Sequence, residues 1–178
     1  HAVRGVGFVY KKAGKKITPF LTGGGQEKDL RSTTENVAGI ASMAKALRLV
    51  TDKEEFSLPK IAKMKKIIFD ELAKYEDITI FSGEGEDFAP NILTFGIKGV
   101  RGEVVVHAFE EHQIYISTTS ACSSKAGKPA GTLISMGIPT KLAQTAVRIS
   151  LDDDNDMGQV EQFLTIFKQV YAKTQKVR

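Results

Sequence analysis

The order of the predicted elements indicates an α/β fold with a small, mainly antiparallel sheet that helices cover on one side. Short β-branched and aromatic runs at 78–81, 91–97, 114–116 and 146–151 predict strands. Between them, apolar residues recur at spacings of three and four, which predicts helices. A chain of 178 residues is long enough for one domain, or for one domain and a piece of another.

The first part of the chain predicts extended segments and a glycine loop. Val6 to Tyr10 is expected to be a strand, 11–16 a charged turn, and Ile17 the start of a second extended piece. Gly23-Gly24-Gly25 excludes a regular helix or strand interior. The glycines fit a flexible loop as well as a backbone that closely approaches another group.

A helix is predicted from about residue 37, with Thr34 or Ser32 as its N-cap. Its apolar positions have helical spacing: Val37, Ile40, Ala41, Ala44, Leu47 and Val50. Arg31 and the hydroxyls that follow it can either cap this helix or bind an anion at its free N–H groups.

A separate helix is predicted to start at Ser57, with Pro59 in its first turn. Its buried stripe is expected to be Ile61, Met64, Ile68 and Leu72, and its solvated face Lys63, Lys65 and Lys66. A third helix, over 102–112, should direct Val105, Ala108 and Phe109 inward, and short helices are predicted at 132–136 and from Pro139. His107 and His112 are five residues apart, which does not match a helical metal pair.

The last predicted strand places Val147, Ile149 and Leu151 on one face and Arg148 on the other. An arginine in mid-strand is either exposed or directed at a carboxylate. The acidic run that begins at Asp152 does not match a calcium loop, because its sixth residue is Met and its twelfth is Phe. A capping box of Asp156 and Gln159 is predicted instead. It starts a helix whose buried stripe is Val160, Phe163, Leu164, Phe167 and Val170.

Cys122 is the only cysteine, and it lies among small hydroxylated residues with Lys125 and Lys128 close behind. This setting predicts a reactive thiol on a loop, and a single cysteine excludes an internal disulfide framework. The net charge of +4 is spread along the chain, so charge does not predict nucleic-acid binding. The sequence has neither a signal peptide nor a membrane-spanning run, so the cytoplasm is the expected compartment.

Three motifs in the same order resemble those of the cysteine desulfurases of the NifS/IscS type. Gly23 to Val37 resembles the GGGQE…RSGTxNV signature, and Ser120 to Ser124 resembles the SGSACSS active-site loop. Val147 to Leu151 resembles the (I/V)R(F/I)S(L/F) strand. The family belongs to the class V aminotransferases, within fold type I of the pyridoxal-phosphate (PLP) enzymes.

The resemblance implies roles for three residues. Cys122 would take the sulfur of L-cysteine as a persulfide and leave L-alanine, Arg148 would pair with the substrate carboxylate, and Thr34 would bind the PLP phosphate across a homodimer interface. A sulfur-acceptor protein is implied as a partner, either an iron–sulfur scaffold or a tRNA-thiolation enzyme. Nothing in the resemblance implies a metal, a membrane or direct nucleic-acid contact.

The chain departs from the family pattern in several places. Thr33 and Thr119 stand where glycine is usual, Asp152 follows Leu151 where glycine is common, and the Gly-Pro-Lys-Gly stretch before the first strand is replaced by 2–5. The Ser-x-His-Lys motif that carries the PLP lysine would fall before His1. We therefore expect the C-terminal part of a desulfurase: residues 1–36 as a remnant of the large PLP-binding domain, and 37–178 as the linking helix and the small domain. This chain is expected to be inactive alone.

Two alternatives remain at this point. One is another class V PLP enzyme, such as a selenocysteine lyase or a transaminase. The other is a non-catalytic dimerisation or docking domain.

Overall fold

The structure, a computed structural model, describes residues 2–85, 87–118 and 131–175. The chain forms two compact units, His1–Glu55 and Phe56–Arg178. The helices and strands are α1 (Val37–Leu72), β1 (Ile78–Ile80), β2 (Ile92–Ile97), α2 (Gly102–Glu110), β3 (Ser117–Thr118), α3 (Gly131–Ser135), α4 (Thr140–Ala143), β4 (Ala146–Ser150) and α5 (Met157–Gln175). Within these ranges, no helix is long and apolar enough to span a membrane.

The start of the first unit corrects the two predicted strands. No strand forms at Val6 to Tyr10 or from Ile17, and Val9 and Tyr10 are 82% and 83% exposed. The charged turn is present, since the Lys15 N–H donates to the Lys12 carbonyl at 3.2 Å. β-Branched residues favour a strand only where another strand pairs with them, and the described residues of this unit provide no such strand.

Helix α1 corrects both the predicted caps and the predicted break. Its N-cap is Asn36, whose Oδ1 accepts the Gly39 N–H at 3.0 Å, so neither Thr34 nor Ser32 has this role. The helix continues through Pro59 as 36 residues, where two helices were predicted. The proline ring removes only the hydrogen bond to the carbonyl four residues earlier, that of Glu55. The apolar residues predicted in the first part of α1 do lie in a helix, but two of them, Val37 and Val50, are exposed.

The sheet lies in the second unit and has the strand order β1-β2-β4-β3, with every neighbouring pair antiparallel. The predicted α/β class with a small antiparallel sheet is therefore confirmed, although α3 and α4 pack on the second face, so helices lie on both sides of the sheet rather than on one. The predicted strand at 114–116 is shifted along the chain, because β3 contains only Ser117 and Thr118. Strand β4 is central, with β2 on one side and β3 on the other.

The main core lies between one face of the sheet and the helices α2, α5 and the second part of α1. The predicted stripe of Ile61, Met64, Ile68 and Leu72 is buried, as are Val105 and Phe109 of α2. From α5, Val160, Phe163, Phe167 and Val170 are buried and Leu164 is partly buried. Phe163 stacks on Phe109 with ring centroids 5.1 Å apart. The helical spacing of apolar residues thus predicted which residues form this core, because an amphipathic helix buries its apolar stripe against the core and leaves its polar face to solvent.

The opposite face of the sheet carries a smaller cluster from α3 and α4. Leu133, Ala143 and Ala146 are buried there, with Phe81 and Ile138 against them. Gly96 of β2 is required by this packing, because a Cβ at that position would collide with Oγ1 of Thr145.

Helix α5 begins at the predicted capping box. The Gln159 N–H donates to Asp156 Oδ1 at 2.9 Å, and the Asp156 N–H donates to Gln159 Oε1 at 3.3 Å. Two N–H groups at the helix start are thereby satisfied.

Candidate active site

Arg148 lies in the middle of β4, on the sheet face opposite the main core. Val147 and Ile149, its neighbours in the strand, are buried in that core, whereas Arg148 is exposed. Thr94 of β2 lies directly opposite Arg148 on one side, and Ser117 of β3 lies opposite it on the other. Directly opposed residues of antiparallel strands share a face, so Thr94, Arg148 and Ser117 form one polar row across three strands. Of the two predicted positions for this arginine, an exposed face or one directed at a carboxylate of the chain, the structure confirms the exposed face.

The guanidinium of Arg148 has no hydrogen bond or ion pair to any residue in the described part of the chain. Arginine presents five N–H donors in a planar fork that matches a carboxylate in two places. The other arginine of this unit in a described segment, Arg101, contacts Glu103 at 3.4 Å. Arg148 is therefore available to an external anion.

The cysteine segment follows β3 directly in the sequence. Residue 122, together with Lys125 and Lys128, lies outside the described residues, so the predicted position of the thiol stays a prediction. Ser117, five positions before it, lies in the polar row with Arg148. The sheet therefore fixes the start of the segment that carries the cysteine.

Thr34 lies on the exposed loop immediately before α1, in the first unit. In the part of the chain that the structure describes, its hydroxyl has no hydrogen-bond partner. Ser32, two residues earlier, is 7% exposed, and its N–H donates to the Leu21 carbonyl at 3.0 Å. The structure thus describes Thr34 and Arg148, but in different units.

The residues of this loop fit one end of a PLP molecule, its phosphate. A hydroxyl and a helix start are suitable donors to a phosphate, and Thr34, whose hydroxyl bonds to no described residue, lies two residues before Asn36, the N-cap of α1. The Gly39 N–H already donates to Asn36 Oδ1, so the hydroxyl of Thr34 is a more available donor to a phosphate than this N–H. No lysine of this chain is assigned to the cofactor's aldehyde.

Lys65 was predicted to be solvated, and the structure corrects this. It is 7% exposed, and its Nζ donates to the carbonyls of Ala89 at 2.8 Å and Gly83 at 3.3 Å. Burial lowers the pKa of this amine, and the negative charge of Glu84 acts in the opposite direction. The sequence contained a signal for this burial, because Lys65 is four residues after Ile61 and therefore shares its helix face.

The loop that Lys65 holds is joined to the polar row. Ser82, at the start of this loop, accepts the Thr94 N–H with its Oγ at 2.8 Å. Thr94 also receives the N–H groups of Phe81 and Ser82 at its carbonyl, at 2.8 and 3.3 Å. Lys65 is thus connected through the loop to the strand residue that lies opposite Arg148.

A model of the family described as aminotransferase class V matches residues 1–163. This chain belongs to the class V aminotransferase family. The match contains both described candidate residues, Thr34 and Arg148, and residue 122 between them.

Relatives of this class V chain carry desulfurase-type names. A protein of Lactobacillus delbrueckii subsp. bulgaricus named "NifS/IcsS protein homolog" is 45% identical over 177 residues, which are 99% of this chain and 46% of that protein. "Cysteine desulfurase IscS" of Dictyoglomus turgidum is 32% identical over 83% of this chain and 38% of its own length. The resemblance to the NifS/IscS type is thereby confirmed.

Solved structures agree with this assignment. The NifS-like protein of Rickettsia africae superposes with a TM-score of 0.73 at 32% identity, covering 89% of this chain and 41% of that one. A second NifS-like protein gives a TM-score of 0.72 at 27% identity over 92% of this chain. The chain therefore spans less than half the length of these relatives.

Proposed function

We propose that the complete protein is a PLP-dependent cysteine desulfurase, in which Cys122 accepts sulfur and Arg148 binds the substrate. The observation that carries this proposal is the guanidinium of Arg148, which pairs with no described residue and lies in one row with the strand that leads to residue 122. The name cysteine desulfurase, which the Dictyoglomus turgidum relative carries, supports the same reaction. In the same proposal, residues 1–36 are a remnant of the large domain, and residues 37–178 are the linking helix with the small domain.

Arg148 binds the carboxylate of L-cysteine through two parallel N–H···O bonds. The fork orients the substrate as well as attracting it, which a lysine ammonium does less well. Because β4 is hydrogen-bonded on both sides, the base of the Arg148 side chain is held by the sheet. A preorganised cation of this kind reduces the entropy that substrate binding loses.

Cys122 acts as the sulfur acceptor in its thiolate form. Lys125 and Lys128 favour the thiolate by their positive charge. The carbon–sulfur bond of L-cysteine breaks, a sulfur–sulfur bond to Cys122 forms, and the carbon keeps the electron pair and takes up a proton. The products are L-alanine and a persulfide on Cys122.

PLP, when bound, supplies the electron sink that this cleavage needs, and Thr34 would donate its hydroxyl to the phosphate across a homodimer interface. The persulfide then passes to an acceptor protein, an iron–sulfur scaffold or a tRNA-thiolation enzyme, in the cytoplasm. In this proposal the chain alone is inactive, because it contains no Ser-x-His-Lys motif to supply the lysine that holds the cofactor.

The test uses the complete protein and its Cys122→Ala variant. We expect the variant to retain the absorbance of bound PLP but to form no persulfide and to transfer no sulfur. Persulfide is measured by alkylation and mass spectrometry, and alanine by amino-acid analysis. Sulfur transfer by the Cys122→Ala variant would overturn the assigned nucleophile.

Substrate assays separate the alternatives. A desulfurase forms alanine from cysteine, a selenocysteine lyase prefers selenocysteine, and a transaminase consumes alanine with an oxo acid. The isolated chain of 178 residues is expected to show neither PLP absorbance nor alanine formation. Turnover by this chain alone would contradict its assignment as an inactive part, and turnover of no substrate by the complete protein would favour a docking role.

A further inference from the structure

Thr94 of β2 and Arg148 of β4 form a non-hydrogen-bonded pair of their antiparallel ladder. The Leu151 N–H donates to the Asn91 carbonyl at 2.8 Å, which makes those two residues a hydrogen-bonded pair, and the two kinds of pair alternate along a ladder. Thr94 and Arg148 lie three positions from that pair, so their backbone groups turn away from each other. In pairs of this kind the Cα atoms are about 4.5 Å apart and the side chains are closest. The side chain of Thr94 therefore lies beside the aliphatic stem of Arg148.

A β-bulge fixes Thr94 from the side of β1. Phe81 and Ser82, which follow β1, both oppose Thr94, since its carbonyl accepts their N–H groups at 2.8 and 3.3 Å. Ser82 Oγ also accepts the Thr94 N–H at 2.8 Å, in place of a strand carbonyl. Bulges redirect side chains and are common beside active sites. Three hydrogen bonds to described residues thus hold the backbone of Thr94, and Lys65 holds the loop that follows the bulge.

The side chains of Thr94 and Arg148 differ in conformational freedom. Thr94 is 8% exposed, and a β-branched side chain has few rotamers. Arg148 is exposed, and its long stem has several rotatable bonds. A rigid side chain beside this stem reduces the number of positions that the guanidinium can take. No described residue bonds to the hydroxyl of Thr94, which leaves its branched shape as the property that acts on Arg148.

Ser117, on the other side of Arg148, does not restrict the stem in the same way. Because Arg148 directs its backbone groups toward β3, these two residues form a hydrogen-bonded pair, in which the Cα atoms are about 5.5 Å apart. Serine also has no branch at Cβ. Thr94 is therefore the residue of the polar row that constrains the stem of Arg148.

We infer that Thr94 is a positioning residue for Arg148: its branched side chain restricts the arginine stem and so directs the guanidinium toward the substrate carboxylate. The inference rests on the proposed function and deepens it. A guanidinium that is already oriented loses less conformational freedom when the carboxylate binds, which strengthens binding without a new contact. The effect of Thr94 should therefore appear in the affinity for the substrate and not in the chemical step.

Two variants of the complete protein separate the shape of Thr94 from its hydroxyl. Thr94→Val keeps the branched shape and should leave KM for cysteine within about twofold of the wild type, whereas Thr94→Ser keeps the hydroxyl, loses the branch and should raise KM about fivefold at unchanged kcat. Thr79→Ser, the same substitution on the same sheet face opposite Gly96, is the control and should change neither constant. An unchanged KM in Thr94→Ser, or an equal rise in Thr94→Val, would overturn the inference.

A double-mutant cycle distinguishes positioning from a general effect on the fold. Arg148→Lys removes the planar fork that Thr94 is inferred to orient, so Thr94→Ser in this background should change KM by less than about twofold. A rise in KM by the same factor in both backgrounds would mean that Thr94 does not act through Arg148.

The order of the Arg148 side chain tests the inference without activity. In the complete protein with ¹⁵N-labelled arginine, the order parameter of the Arg148 Nε–H should fall in Thr94→Ser and keep its wild-type value in Thr94→Val and Thr79→Ser. An unchanged order parameter in Thr94→Ser overturns the inference, whatever the activity. A wild-type protein that forms no alanine from cysteine overturns the proposed function alone, and the order parameters then decide whether Thr94 positions Arg148.

Discussion

Ser117 lies directly opposite Arg148 across the β3–β4 pair. This relationship joins the residue proposed to hold the substrate carboxylate to the segment that leads into the cysteine. Both are fixed by backbone hydrogen bonds, which hold positions more firmly than a loop does. The second unit therefore contains a preorganised part of the proposed site.

The first prediction concerns Arg148. In the complete protein, Arg148→Lys keeps the positive charge but loses the planar fork, so we expect kcat/KM for cysteine to fall about 10- to 100-fold, as for the loss of a charge-assisted hydrogen bond of roughly 1.5–3 kcal/mol. The value of kcat/KM is measured from the steady-state rate of alanine formation. Arg101→Lys, at an exposed arginine near Glu103, should leave kcat/KM unchanged. An unchanged value in Arg148→Lys would remove this residue from substrate binding.

The second prediction concerns Lys65. Lys65→Met keeps the length of the side chain but leaves the Gly83 carbonyl without this donor and the Ala89 carbonyl with only the Ile92 N–H, at 3.4 Å. We expect faster hydrogen exchange in 83–89 and a loss of roughly 1–3 kcal/mol in the free energy of unfolding. Lys63→Met, on the exposed face of the same helix, is the matched control. Equal exchange rates in the two variants would show that Lys65 does not hold the loop.

The third prediction concerns the pH dependence of stability through Glu71. Its carboxylate contacts Lys74 at 2.6 Å and Lys168 at 3.2 Å. The hydrogen bond from Lys74 is the main cause that lowers the pKa of Glu71, and burial opposes it. Because the pKa of Glu71 is lower in the folded than in the unfolded protein, the contacts of its carboxylate contribute their full stabilisation above the ordinary pKa of 4.5. This stabilisation is lost as the pH falls through the folded-state pKa.

Glu71→Gln should therefore flatten this part of the acid side of the stability curve, measured by urea unfolding from pH 7 to pH 3. Glu161→Gln, an exposed carboxylate on α5, should leave the curve unchanged. If the stability of Glu71→Gln falls with decreasing pH as steeply as that of the wild type, the ion pairs of Glu71 do not contribute to stability.

The fourth prediction concerns the capping box of α5. Asp156→Ala removes the acceptor of the Gln159 N–H, and we expect it to cost about 1 kcal/mol. This lowers the midpoint of thermal unfolding by about 2–4 °C. Asp154→Ala, two residues before the N-cap Asp156, is the control and should melt within about 1 °C of the wild type. Calorimetry or far-UV circular dichroism measures both, and equal midpoints would contradict the cap.

The sequence alone determined those features whose cause is local. The alternation of β4 placed Val147 and Ile149 inside and Arg148 outside, because a strand has a period of two. The capping box of Asp156 and Gln159 was readable because its partners are three residues apart. The buried stripes of α5 and of the second part of α1 were predictable for the same reason, since their residues are three and four positions apart.

Only the tertiary structure decided the features that depend on distant partners. Lys65 is buried because two carbonyls 18 and 24 residues further along accept its hydrogens. Val6 to Tyr10 has the composition of a strand, but the described residues of the first unit provide no strand beside it. The predicted third strand moved to Ser117 because pairing with β4, not β-branched composition, decides where a strand begins. Sequence patterns record which face of an element is apolar, whereas the partner of each face is set by contacts between residues far apart in the chain.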